Sequence, residues 1–534
     1  SNYDYYIGNN GGFYSTIFNM NFPNKSDIIT GMFGQYNLIN GLLYRSEGMA
    51  DFEEDTYLDM FIYQTGKRFN KGTFSLESSE ESRDLVDKAM KDARKKEIDD
   101  WLKDMIEKRN TSMFDILQDA YRDRNIGLID SLNRAMYTDH YMKYMLFKRN
   151  ENMVDSMETL MKNGSLFAGV GAAHLPGDDG MIDMLIKRGY SLKPIYSEQT
   201  EKGKALKTKF ETNFITKAYS PQTTADGFMT LNTPNKLYEL YADGGSFAIA
   251  PDFDNGSYIT IARLYSYNSL RKRSEQLTEK DLEKLLFEFI PGDIITKKVL
   301  DQPYPGFDIK NKTKTGNYQR YLFYVTPIEI IIIKMDGKQE FVKRESDKVF
   351  SSLKLNVKDK VTVASDFNGF EVEMPGYTIT NNTKYSGKRF VQAYNENSDY
   401  AFLMENYFNS INYIEEDSFE LAYIMEKFCE NLETELDENS RFVDGQVPAF
   451  YGHTILDSAE DKRLYLNTQL LGGRYYLMGY IGEEKAANDF FKTVKITQFS
   501  NYTQDFEEQV DTNLFFTVKA PDNNMSSDYY SPYY

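Results

Sequence analysis

From about residue 210 onward the sequence repeats itself, and this constrains the fold more than any other feature of the chain. Phe228–Pro234 (FMTLNTP) returns as Phe370–Pro375 (FEVEMP), with the prolines 375 − 234 = 141 residues apart. The apolar-periodic stretch Asp281–Phe289 returns as Leu421–Phe428. Tyr304-Pro305-Gly306-Phe307 returns as Val447-Pro448-Ala449-Phe450, 448 − 305 = 143 residues on. Phe350–Leu355 returns as Phe491–Ile496, 491 − 350 = 141 residues on, and Arg320–Tyr324 pairs with Arg474–Met478 at a larger offset. Each unit reads as strands, a helix, more strands and a short terminal segment. That is an α+β domain near the usual domain size, and the two are placed at 210–357 and 358–500. Phe516–Pro521 (FTVKAP) repeats the opening pattern once more, so 509–534 reads as the start of a possible third unit. One strand cannot bury its own face. The expectation is that this strand pairs elsewhere or that the protein continues past Tyr534.

The region before the repeats has a different texture. Leu58, Phe61, Ile62, Thr65 and Phe69 recur at helical spacing within Asp55–Phe69. A short apolar strand, Thr73–Leu76, ends at Glu77. Ser78 or Ser79 can cap a helix predicted to run to about Lys108. Further helices are expected over Met113–Arg124, Ile129–Phe147 and Asn152–Met161. Ser165–Val170 then reads as a strand, Gly171–Gly177 as a loop, the stretch after Asp178-Asp179 as a helix stopped by Gly189, and Ser191–Ile195 as another strand. Glu201–Lys209 reads as a linker. The expected fold class is therefore an α/β domain, helix-rich with a mixed sheet, over 1–200, followed by two repeated α+β domains and the start of a possible third.

Composition narrows the function. A net charge of −19 and a pI near 4.9 argue against tracking a phosphate backbone, so no nucleic-acid partner is expected. The single Cys429 excludes intramolecular disulfides and cysteine-rich zinc sites, and reads as a buried small hydrophobe in a helix. The most apolar run, Ile328–Ile333, is far too short for a membrane span and reads as a buried strand. The chain starts with Ser1 rather than Met, with neither a signal peptide nor an anchoring cysteine visible there, so the expectation is that Ser1 is not the first residue encoded. Its 41 tyrosines suit binding surfaces, where a large amphipathic ring costs little entropy, and equally suit cross-strand packing.

Only His140, His174 and His453 are available as imidazoles. His174 stands just beyond the carboxyl end of a predicted strand and before a helix, the edge where open α/β sheets place ligands; an incidental histidine on a surface loop is the plain alternative. Glu77 also ends a predicted strand. A carboxylate and an imidazole converging from two such strands would suit a metal ion or a general base acting on water, whereas Glu77 alone could simply belong to a helix cap. Arg149 could hold a carboxylate bidentately, or could merely favour a helix end. His453 reads as structural.

Taken together, Leu58–Phe69 leading to Ser75-Leu76-Glu77, Arg149-Asn150-x-x-Met153, Val170–Gly177 with Gly180, and Gly189-Tyr-x-x-x-Pro194 resemble the TraB/GumN family over about residues 40–196. That family is related to the Tiki membrane proteases and is regarded as metal-dependent and hydrolase-like, with two GxxH motifs and glutamates in its proposed site. The resemblance implies His174 and Glu77 as catalytic and metal-binding residues, a divalent metal ion as cofactor, and Arg149 and Asn150 as substrate-binding positions. It also implies a cell-envelope location, periplasmic or outer-membrane-associated. The sequence departs from the family in one respect: no histidine precedes His140, so the first GxxH is absent from these 534 residues. One imidazole and one carboxylate fall short of the usual three protein ligands. The C-terminal units resemble PsbP-like α+β modules in element order. Two functions follow. One is an envelope scaffold or binding component with a degenerate or incomplete hydrolase site, acting with protein partners. The other is a metal-dependent, peptidase-like hydrolase using His174 and Glu77.

Overall fold

The computed structural model describes residues 57–91, 96–196, 198, 200–242, 245–290, 292–314, 316–364, 369–381, 388–397, 399–407, 416–471, 474–497, 506–511 and 516–521. Residues 1–56 and the tail after Pro521 lie outside the described residues. The chain divides into two compact units, one formed by 37–217 with 252–257, the other containing 218–251 and 258 onward.

The first unit is helical. Helix α1 (Leu58–Arg68) places Phe61 and Phe69 around Phe210 of α9 (Glu201–Thr212), with ring centroids 5.0 and 6.2 Å apart. Arg68 is buried between them. Its guanidinium stacks on Phe210 at 4.6 Å and donates to the carbonyls of Phe210, Asp254 and Asn255 at 3.1, 3.3 and 3.2 Å. A charge taken from water needs such partners, and carbonyl acceptors supply them. The stretch expected as a linker is thus a helix. Thr200 Oγ1 caps it by accepting from Gly203 N–H at 3.0 Å, and Phe210 gives it a buried anchor.

The helix expected to reach Lys108 is divided. Helix α2 (Ser79–Met90) is capped by Ser78, and α3 (Asp100–Arg109) begins only after Asp99. Between them, the N–H groups of Lys96 and Asp99 donate to the carbonyls of Met136 and Ala135, at the end of α5 (Ile126–Met136), which follows α4 (Met113–Arg122). Satisfying those two terminal carbonyls competes with continuing the helix. Likewise the helix expected over Ile129–Phe147 stops at Tyr137. Thr138 caps a new turn, α6 (Asp139–Met142), which passes through a π-helical turn (Lys143–Phe147) into α7 (Lys148–Met161). His140 therefore sits near a helix start, with Nε2 2.9 Å from the Lys88 carbonyl. Leu102, Ile116, Ala120, Ile129, Leu132 and Ala135 form one core. Met153, Val154 and Met181 of α8 (Met181–Lys187) form a second, against which Leu76 and Val170 pack.

No β-strand forms among the described residues of 57–217. Thr73–Leu76, Ser165–Val170 and Ser191–Ile195, expected as strands of a mixed sheet, are non-helical and outside any ladder. Over 165–170 the side chains still alternate outward and inward, with Leu166, Ala168 and Val170 facing in and Phe167 79% exposed. The alternation is present without a neighbouring ladder, and a local pattern alone cannot supply the neighbour.

The second unit contains two copies of one architecture. The first copy comprises β1 (Ser220–Thr223), β2 (Met229–Thr233), β3 (Tyr238–Ala242), β4 (Gly245–Asp252), β5 (Ser257–Tyr265), α10 (Glu279–Phe289), β6 (Asp293–Leu300), β7 (Gly306–Lys312), β8 (Asn317–Val325), β9 (Glu329–Lys338), α11 (Gln339–Phe350) and β10 (Lys354–Leu355). The second comprises β11 (Lys360–Ala364), β12 (Phe370–Pro375), β13 (Tyr377–Asn381), β14 (Lys388–Tyr394), β15 (Tyr400–Tyr407), α12 (Asp417–Asn431), β16 (Arg441–Val443), β17 (Ala449–Asp457), β18 (Lys462–Leu471), β19 (Arg474–Ile481), α13 (Glu484–Thr493) and β20 (Lys495–Ile496). Their antiparallel seven-stranded sheets run β3-β4-β5-β9-β8-β7-β6 and β13-β14-β15-β19-β18-β17-β16, and their small sheets run β1-β2-β10 and β11-β12-β20. These matching orders establish the repeat in three dimensions.

They also correct one alignment. Arg474–Met478 lies on β19, the counterpart of β9, so it does not match Arg320–Tyr324 on β8. The offsets 462 − 317 = 145 and 474 − 329 = 145 restore a nearly constant spacing. The third opening pattern has a partner too: β21 (Phe506–Asp511) and β22 (Phe516–Pro521) form an antiparallel hairpin, the counterpart of β1-β2 and β11-β12. The run Ile328–Ile333 is buried as expected, at the start of β9 in the middle of its sheet.

Candidate functional site

Glu77 follows the non-helical segment 73–76, whose Leu76 is anchored against Met153 and Met181; Val170, just before the His174 loop, packs in the same cluster. That shared anchor brings two sequence-distant segments to the start of α7. The π-helical turn before α7 sets the phase of its first residues, a distortion frequently found at functional sites. Arg149 and Asn150, adjacent on α7, then serve different neighbours.

Arg149 grips Glu77. Its Nε lies 2.9 and 3.2 Å from the two carboxylate oxygens and its Nη2 2.7 Å from Oε2. Both side chains are largely buried. This fork geometry makes the strongest common type of ion pair. Asn150, 1% exposed, faces the other way. Its Nδ2 donates to the Asp179 carbonyl at 2.7 Å, and its Oδ1 lies 2.7 Å from His174 Nδ1. His174 closes a single 3-10 turn, Ala172–His174. Burial lowers its pKa below the ordinary 6.5, the Arg149 charge lowers it further, and Glu77 opposes both. The ring is therefore neutral at physiological pH.

All four residues singled out in the sequence thus lie in one connected cluster, in two linked pairs: Glu77 with Arg149, and His174 with Asn150. Glu77 and His174 are not joined directly by a hydrogen bond. What the sequence did not reveal is the backbone part of the site. The Asp179 and Met145 carbonyls, the latter 3.4 Å from Arg149 Nη1, carry no side-chain signature. As to a metal, Glu77 is committed to a guanidinium, and among the described residues no three His, Cys, Asp or Glu side chains are grouped to hold an ion. The described residues do not make up a complete ligand set.

The other two histidines and the cysteine stand apart. His453 lies on β17, with Nε2 3.5 Å from Asp437 and its ring beside Tyr465. Cys429 is buried in α12, and burial pushes its thiol up to about 12.

A second polar concentration lies in the repeats and was not anticipated. Arg263 on β5 pairs with Glu329 on β9 at 2.8 Å and with Asp226, and Tyr377 of the second copy donates to Glu329. Burial disfavours the Arg263 charge, but Glu329, Tyr377 and Asp226 outweigh it and hold the guanidinium well above its ordinary pKa. In the second copy the equivalent strands carry Glu405 and Arg474, 2.8 Å apart, with the charges exchanged. Aligning the two copies of the sequence by sheet order would have exposed this pair; motif matching did not.

With the geometry in view, residues 37–194 match the model of the TraB/PrgY/gumN family. The helix-rich region is thus TraB/PrgY/gumN-like, and the Glu77–Arg149 and His174–Asn150 pairs lie inside the match. No curated protein matches the chain. Among solved structures, the solution structure of cyanobacterial PsbP (CyanoP) from Synechocystis sp. PCC 6803 is similar to part of it. It is 9% identical, covers 26% of this chain and 94% of its own, and has a TM-score of 0.21. Among the described residues no helix is long and apolar enough to cross a membrane.

Proposed function

We propose that this chain is a scaffold or binding component of a cell envelope, periplasmic or outer-membrane-associated, whose TraB/GumN-type site is incomplete as a hydrolase centre. The carrying observation is the bidentate hold of Arg149 on Glu77. Exchanging that guanidinium for a metal would leave Arg149 largely buried without its counter-charge, a cost of several kcal/mol, roughly 3–5. Repeated sheet units rich in tyrosine support a role in holding protein partners. The envelope location rests on the family likeness.

The test is elemental analysis of the purified full-length protein beside His174→Ala, together with co-purification of an envelope partner. The expected result is no stoichiometric divalent metal in either protein. The partner should be retained by His174→Ala and lost when residues 210–534 are deleted. Stoichiometric metal in the wild type, absent from His174→Ala, would overturn this reading.

One observation favours the second reading, a metal-dependent, peptidase-like hydrolase with His174 and Glu77 as catalytic and metal-binding residues and Arg149 and Asn150 lining the substrate. His174 is held through Nδ1 by a neighbouring amide, as metal-ligating histidines are commonly held through the nitrogen that does not bind the ion. That function needs ligands beyond these two, such as the family's other GxxH.

A further inference from the structure

We infer that Asn150 is a positioning residue that fixes His174 in the tautomer with its proton on Nδ1, leaving Nε2 as the lone-pair atom. The inference rests on the reading of His174 as the centre of the N-terminal site, and holds for either function proposed for that site.

The argument is a chain of hydrogen-bond constraints. The Asp179 carbonyl can only accept. The Asn150 atom 2.7 Å from it must therefore be the amide nitrogen, since the reversed amide would press oxygen on oxygen at that distance. The other amide atom, 2.7 Å from His174 Nδ1, is then Oδ1, which also only accepts. One proton must lie between Oδ1 and Nδ1, and only Nδ1 can carry it. In the neutral ring Nε2 is then unprotonated.

The frame behind this chain is firm. Asn150 is 1% exposed, so there is little room for water to take over either contact. The Asp179 carbonyl belongs to a turn closed by Gly180 N–H donating to the Gly177 carbonyl at 2.9 Å. A Cβ on Gly180 would stand 2.2 Å from the Pro176 carbonyl oxygen, so the turn admits only glycine there. The sequence Gly177-Asp178-Asp179-Gly180 thus holds a carbonyl in place, the carbonyl orients Asn150, and Asn150 orients His174. Ligands suited to the Nε2 lone pair are a hydrogen-bond donor or a borderline metal ion, not an acceptor such as a carboxylate.

The tautomer is read directly from long-range proton–nitrogen NMR correlations of the 15N-histidine-labelled full-length protein, treated with EDTA and held at a pH where the imidazoles are neutral. With three histidines in the chain, loss of one pattern in His174→Ala assigns it. The expected wild-type pattern for His174 is the Nδ1–H form. Asn150→Leu, nearly isosteric and unable to accept, should lose that form while the His140 and His453 patterns stay unchanged. A wild-type His174 in the Nε2–H form, or an Asn150→Leu protein that folds with the His174 pattern intact, would overturn the inference. If Asn150→Leu does not fold, the wild-type pattern alone still decides. Because the measurement is made without metal, it is independent of the metal content that tests the proposed function.

Discussion

At His174 the effect of each neighbouring charge follows from where it is held, and this can be tested one residue at a time. Burial and Arg149 depress the His174 pKa while Glu77 raises it. Replacing Glu77 by Gln removes this opposing influence, so the His174 pKa should fall further; an NMR titration reading a rise would contradict the arrangement. The same shift links to stability. A histidine whose folded pKa lies below its unfolded value near 6.5 contributes stability that is fully present above that pH. The contribution is lost as pH falls through the folded pKa, because the unfolded chain binds the proton more readily. Urea melts between pH 7.5 and acid should therefore show His174→Gln losing less stability than the wild type, over that window only. The residue types at this site were legible in the sequence. Their pairing was not, because Glu77 looks like a metal ligand or a helix cap until Arg149 is seen to occupy it.

The elements show where local pattern is sufficient and where it loses. Helix α4 begins where Ser112 and Asp115 form a reciprocal capping box, and its span is nearly the one read from periodicity. The break between α2 and α3 was missed because its cause is non-local: the 96–99 backbone is claimed by the carbonyl end of α5. Helix α9 was missed for the opposite reason. Its lysines resemble a linker, while Thr200 and Phe210 supply the cap and the anchor. Replacing Thr200 by Ala should cost about 1 kcal/mol in chemical denaturation, and by Ser very little. Equal loss from both substitutions would show that the methyl group, not the hydroxyl, matters there.

At the scale of the whole molecule, the two copies act as mutual controls. Both place a buried Arg–Glu pair between the same two central strands, with the charges exchanged. The fold therefore accommodates the pair in either direction. In the first copy Asp226 adds a third charge. Its counterpart, two residues before Phe370 as Asp226 is before Phe228, is the neutral Asn368. Arg263→Glu alone should be severely destabilising, by roughly 3–5 kcal/mol, since it sets a third carboxylate beside Glu329 and Asp226 and removes their counter-charge. The triple change Arg263→Glu, Glu329→Arg and Asp226→Asn recreates the charge pattern of the second copy and should recover most of that loss. A triple variant no more stable than the single one would mean that the direction of the pair is fixed by its neighbours, Tyr377 above all.

The sequence by itself determined the repeat, the helix-rich region before it, the family likeness and the residues worth testing. Each of these is written in local periodicity or in short motifs, which survive without knowledge of what packs where. Only the tertiary structure decided that the segments before Glu77 and Gly171 form no ladder among the described residues, that β19 answers to β9, and that Glu77 belongs to Arg149 while His174 belongs to Asn150. Those outcomes depend on contacts between residues far apart in the chain, made by backbone carbonyls and exchanged charges that leave no recurring pattern along it.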